Sequence, residues 1–187
     1  MTVSWQDAPG PARGIGTAIA RAVDAATGLE GGDFDDYEPA ALELMSQPLQ
    51  PVGVVLSAIV RTLLEEKHPD GLDSDDISQV LGGCYRAATR WMPADRLDPS
   101  VLIAVLASAL GIHEPGVTYD EIGAPPRADG DEWADPSDEV PPRAPTPAEY
   151  AWTAPVLIAD LLGGRRLNRY LDNAFSEIYT SESMEMP

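Results

Sequence analysis

Apolar residues recur along this chain mainly at spacings of three and four, in segments parted by proline, glycine and aspartate. From Arg13, the positions Ile15, Ala18, Ile19, Ala22, Val23 and Ala26 share one helical face, and Gly28 with the Gly31-Gly32 pair closes that segment. An acidic connection over residues 33–38 leads to a brief helix over 39–45, and residues 52–64 form a strongly apolar helix that turns polar only at Arg61 and at Glu65-Glu66-Lys67. The turn His68-Pro69-Asp70-Gly71 precedes a helix capped by Asp73 or Ser74. Asp75 and Asp76 fall in its first turn, where negative charge suits the helix dipole, and Ile77, Val80, Leu81, Cys84, Ala88 and Trp91 make its buried stripe.

Residues 101–112 stand apart. Only Ser108 interrupts their apolar run, with Asp98-Pro99 as a start signal and Gly111 near the exit. A helix that is apolar all round belongs at the centre of a packed domain, and about 12 residues are too few to cross a bilayer, which needs about 20. The other helices are therefore expected to wrap this one. The chain shows no run of alternating apolar and polar positions, no Asn-Gly hairpin signal and no strand–helix alternation. The pattern predicts an all-α fold: a flexible lead-in over 1–12 with Trp5 tucked against the domain, then a compact bundle of about five helices over 13–113.

Residues 114–146 differ in kind. Seven prolines and nine acidic residues fall there against Arg127 and Arg143 alone, with Trp133 the one large apolar side chain of its middle. Such composition buries too little surface to offset the entropy of ordering, so a disordered acidic linker is expected, with 117–122 pinned to the bundle. Structure resumes at Thr146-Pro147-Ala148-Glu149, a capping-box sequence with proline at the first helical position. Pro155 is expected to break or kink that helix, and Gly163-Gly164 to end it. A last helix from about Arg165 to Tyr179 carries Leu167, Tyr170, Leu171, Ala174, Phe175 and Ile178 on one stripe. Residues 147–179 thus read as a C-terminal helical hairpin, with 180–187 frayed.

Charge narrows the function classes. Twelve Lys and Arg against 31 Asp and Glu give a formal charge of −19. That argues against binding the phosphate backbone of nucleic acids or anionic membranes, and favours a basic protein partner. A single cysteine, Cys84, forms no internal disulfide, and no basic stretch followed by an apolar run opens the sequence, so a cytoplasmic location is expected.

Motifs for chemistry are weak. Arg13-Gly14-Ile15-Gly16 starts like a phosphate loop but lacks the following Gly-Lys-Ser/Thr. Asp33-Phe34-Asp35-Asp36 resembles the proton-donor motif of class II terpene cyclases over four residues; those enzymes need far larger α-barrel domains, and a solvated acidic loop accounts for the residues. Asp70, Asp73, Asp75 and Asp76 lack the ligand order of a calcium loop. His68 and His113 stand alone at helix ends, and Cys84 sits on a core stripe. No catalytic, cofactor-binding or metal-binding residue is nominated.

One cluster stands above this background. Arg165, Arg166 and Arg169 form the only tight basic group of an acidic chain. They either clamp the C-terminal helices onto bundle carboxylates or meet an acidic partner. The preferred expectation is a non-enzymatic protein acting through protein–protein contacts, as a regulator, adaptor or chaperone-like partner. Its anchors would be Tyr150, Trp152, Arg165, Arg166, Leu167, Arg169, Tyr170, Leu171 and Phe175, since aromatics and arginine dominate interface energetics. Two alternatives remain: a helical bundle with a ligand or enzymatic site between helices, and an acidic nucleic-acid mimic.

Overall fold

The computed structural model describes residues 4–28, 32–111 and 144–184 of the chain. The expected linker over 114–146, including Trp133 and residues 117–122, lies almost wholly outside the described residues. Among those described there are seven α-helices and no strand: α1 (Gly10–Thr27), α2 (Phe34–Met45), α3 (Leu49–Lys67), α4 (Ser74–Ala88), α5 (Pro99–Ala109), α6 (Pro147–Leu162) and α7 (Asn168–Met184). The fold is all-α. No helix among the described residues is long and apolar enough to cross a membrane.

Short polar side chains set the helix starts. The Asp33 carboxylate accepts from the Asp35 amide, and that of Asp98 from the Ser100 amide. Asp73 accepts from Asp75 and Asp76 while Asp76 accepts in return from the Asp73 amide. Thr146 and Glu149 make the second reciprocal pair, the Thr146 amide donating to Glu149 at 2.8 Å. Each cap satisfies amides that the first turn leaves unpaired, a contribution of about 1 kcal/mol.

The centre of the bundle is α6. It packs against α1, α2, α3, α4 and α5. Ala151, Ala154, Leu157 and Ile158 are at most 1% exposed, and even Thr153 is buried. Residues 101–112 were expected to hold that place. Their helix, α5, packs chiefly on α3, α4 and α6 among the described residues, and Ile103 is 44% exposed. Apolar density states how strongly a helix prefers burial; it does not state how many neighbours can reach it. Small residues in the middle of α6 let helices approach from several sides, whereas α5 is the shorter helix, Pro99–Ala109 against Pro147–Leu162. Pro155 lies inside α6 without ending it. The Tyr37 hydroxyl, from α2, donates to the Trp152 carbonyl in the turn that the proline ring loosens.

Two further departures have local causes. Where a loose lead-in was expected, Trp5–Asp7 forms a 3-10 turn, and α1 begins at Gly10 with Pro11 in its first turn. Trp5 is buried, its amide donates to the Asp172 carboxylate at 2.9 Å, and a Cβ on Gly16 would stand 2.4 Å from its ring, so a bare glycine is what seats the indole. The last helix continues to Met184 rather than fraying from residue 180. α6 and α7 both pack on α3.

Candidate functional site

Most of the side chains nominated as contact anchors serve the chain's own bundle. Tyr150, Leu167, Tyr170, Leu171 and Phe175 are between 0 and 7% exposed, all within the core. Trp152 is half-buried; its indole N–H donates to the Arg96 carbonyl at 2.9 Å and its ring meets Tyr37 edge-on. Arg165 and Arg169 both pair with Glu66 at the end of α3, and the Tyr170 hydroxyl donates to the same carboxylate at 2.7 Å. Arg165 also donates to the Leu161 and Leu162 carbonyls. Arg165 thus caps the end of α6, where a cation suits the unpaired carbonyls. Arg166 is exposed. The nine residues do not form one surface.

What the fold does assemble is a cavity of about 830 Å³ between α3, the end of α5, the start of α6 and α7. Gln50, Gly53, Val54, Ser57 and Arg61 line it. They fall at i, i+3, i+4, i+7 and i+11, one face of α3, and border the cavity along its length. Gly53 keeps the wall recessed: a Cβ there would have no atom within 4 Å. Ser108 to Gly111, where α5 ends, and Pro145, Pro147 and Tyr150, where α6 begins, complete most of the boundary. On the solvent side Arg61 pairs with Glu177 of α7 at 3.1 Å.

Hydroxyl groups give this apolar space its polarity. Ser57 Oγ and the Tyr150 hydroxyl lie 2.7 Å apart. Burial raises the Tyr150 pKa to about 12, with the Ser57 bond opposing, so the phenol keeps its proton at neutral pH. Two hydroxyls sharing one hydrogen bond leave one O–H uncommitted. Three buried side-chain atoms have no partner among the described residues, His68 Nε2, Ser176 Oγ and Ser108 Oγ, and of these Ser108 lines the cavity. Elsewhere helical hydroxyls return to the carbonyl one turn back: Thr17 to Arg13, Thr27 to Val23, Thr62 to Ala58 and Ser78 to Ser74. Ser108 does not.

A second, more polar cavity of about 660 Å³ holds Asp33, Asp36, Cys84, Arg90, Trp91 and Asp160 among its lining residues. Burial, with Asp160's charge adding, pushes the Cys84 thiol up to about 12, so it stays protonated and behaves as a core residue. Asp33 is committed to capping α2. No group of three or more potential metal ligands occurs among the described residues. Burial also raises the Asp160 carboxyl, against the pull of Lys67. A carboxyl raised in the folded state contributes stability that is complete below its unfolded pKa, near 3.8, and is lost as pH rises through the folded value. Asp160→Asn is therefore expected to raise the Tm at neutral pH, with the gain shrinking toward about pH 4. Melting curves across that range check it; a gain independent of pH would contradict it.

The cavity was not visible in the sequence because four helices contribute its walls. The one available signal was Ser108, the sole polar interruption of the most apolar segment. No protein-family model matches this chain, and neither a curated protein nor a solved structure matches it.

Proposed function

We propose that this is a non-catalytic binding protein that takes up a small apolar molecule in the cavity between α3, α5, α6 and α7. The observation that carries the reading is the combination of size and lining. About 830 Å³ falls within the roughly 300–1,000 Å³ typical of ligand sites, and a mostly apolar wall with a few placed polar groups is their usual chemistry. The polar side chains of the lining are the Gln50 amide, hydroxyls and an ion pair, which suit holding a molecule rather than moving protons at neutral pH. Protein contact through the C-terminal helices would need side chains that the bundle covers. A site between helices needs only Tyr150 of them, where it already lines the cavity. The charge of −19 directs any protein partner toward basic surfaces and away from nucleic acid, and with the lone Cys84 it suits the cytoplasm.

The neutral dye Nile red tests this reading. Its fluorescence is expected to rise on binding with one dye per chain. Gly53→Phe is expected to abolish the rise by projecting into the cavity. Gly53→Ala should leave binding nearly intact and raise stability by about 1 kcal/mol, since glycine inside a helix is disfavoured by that amount. Equal dye binding by the wild type and Gly53→Phe, with both folded by circular dichroism, would refute the site.

A further inference from the structure

We infer that the second cavity, set among the ends of α1 and α4, the start of α2 and α6, takes a small organic cation, an ammonium or guanidinium group held by the Asp160 carboxylate. It lies apart from the cavity bordered by α3 and α7, so the two readings stand or fall independently. Its volume is about 660 Å³, and its walls combine apolar side chains such as Trp91 and Val156 with Asp33, Asp36, Arg90 and Asp160.

Two of the three carboxylates serve the fold. Asp33 caps α2, and Asp36 lies in the first turn of that helix, where negative charge suits the dipole. Asp160 has no such role. It sits in the last turn of α6, where a negative charge opposes the dipole, and no basic residue shares that turn. Arg165, which reaches this helix end, donates to the Leu161 and Leu162 carbonyls and to Glu66 instead. Asp160 accepts no side-chain hydrogen bond and joins no ion pair among the described residues. Its oxygens are nonetheless open to the cavity, since the side-chain atoms sealed off without a partner belong to His68, Ser108 and Ser176. Partial burial raises its carboxyl even though Lys67 draws the other way.

A half-buried carboxylate without a partner costs stability, and a cation brought by a guest removes that cost. The surroundings favour the same sign of guest. Three carboxylates of the lining face one guanidinium, that of Arg90, in a chain of charge −19. A neutral guest gains nothing from Asp160, and an anion is repelled. The half-buried Trp91 ring offers the cation's carbon body an apolar wall.

Benzylammonium, benzyl alcohol and benzoate share one ring and differ in charge. Titrated calorimetrically into the full chain at about 0.15 M salt, which screens distant charges, the cation is expected to bind about tenfold more tightly than the alcohol, and benzoate more weakly than either. Asp160→Asn should bring benzylammonium down to the affinity of the alcohol. The same variant is expected to melt higher than the wild type, so loss of fold does not account for the lost binding. Asp35→Asn removes an equal charge from outside the lining and should change the affinity less than about twofold, which separates a site from the general pull of an acidic chain. The blocked peptide acetyl-Gly-Lys-Gly-amide distinguishes the sources of the cation. Binding comparable to benzylammonium assigns the site to a lysine side chain of a basic protein, and binding of benzylammonium alone assigns it to a free amine. The inference is overturned if benzylammonium does not bind, if the alcohol matches it, or if Asp35→Asn weakens it as much as Asp160→Asn does.

Discussion

Deleting residues 144–187 is expected to leave a chain without a cooperative melting transition. α6 is the element on which α1 through α5 converge, so its removal opens a face on each of them at once. Val156, Leu157, Ile158, Leu161, Leu162 and Leu171 would all be lost from a core in which none is more than 4% exposed. Each aliphatic side chain of that kind contributes about 1.5–3 kcal/mol when buried. Six of them match or exceed the total stability of a typical domain, about 5–15 kcal/mol. The point variant Leu157→Ala grades the same effect: a loss of about 2–5 kcal/mol, with a Tm lowered by roughly 5–20 °C. Urea and thermal melts followed by circular dichroism check both. A truncated chain that still melts sharply near the full-length midpoint would show that the C-terminal helices are an appendage.

Tyr37→Ala is expected to cost about 3–5 kcal/mol, as removal of a buried aromatic does. Tyr37 is fully buried, with Trp91 and Trp152 edge-on to its ring at centroid distances of 5.3 and 5.5 Å. Such pairs contribute about 0.5–1.5 kcal/mol beyond their area. Tyr37→Phe isolates the hydroxyl. It keeps the rings and removes the donor to the Trp152 carbonyl beside Pro155, for an expected loss of about 1–3 kcal/mol. Burial raises the phenol above its ordinary range, so this donor keeps its proton at neutral pH. Urea midpoints measure both losses, and a shift in tryptophan emission should accompany Tyr37→Ala but not Tyr37→Phe. A Tyr37→Phe variant as stable as wild type would show that α6 does not rely on this bond.

The helices were legible because local rules decide them. Asp73, Asp98 and Thr146 cap where their spacing places them, and the stripes of α1, α4 and α7 face the core as their periodicity requires. The arginines were half legible: cationic charge after Gly163-Gly164 signals a helix end, yet the partner, Glu66, lies about 100 positions earlier in the chain. The identity of the central helix was not legible. Residues 101–112 outrank α6 in apolar content, and Pro155 made α6 look broken. The small side chains of Ala151 and Ala154, which let neighbours approach, carry no hydropathic signal of centrality. Aromatic anchors such as Tyr150 and Phe175 look alike in sequence whether a partner or the chain itself covers them. The cavity belongs to the same class of hidden feature. The face of α3 that carries Gln50, Gly53, Val54, Ser57 and Arg61 reads in sequence as an ordinary water-facing side, and only the placement of α5, α6 and α7 reveals that it borders a cavity.

The cavity between α3, α5, α6 and α7 is tested most directly by a ¹H–¹⁵N correlation spectrum of the full chain titrated with Nile red. Saturable shifts gathered on Gly53, Val54, Ser57, Ser108 and Tyr150 are the predicted result. Shifts that fall instead around exposed Leu42, or spread without saturation over the surface, would contradict it.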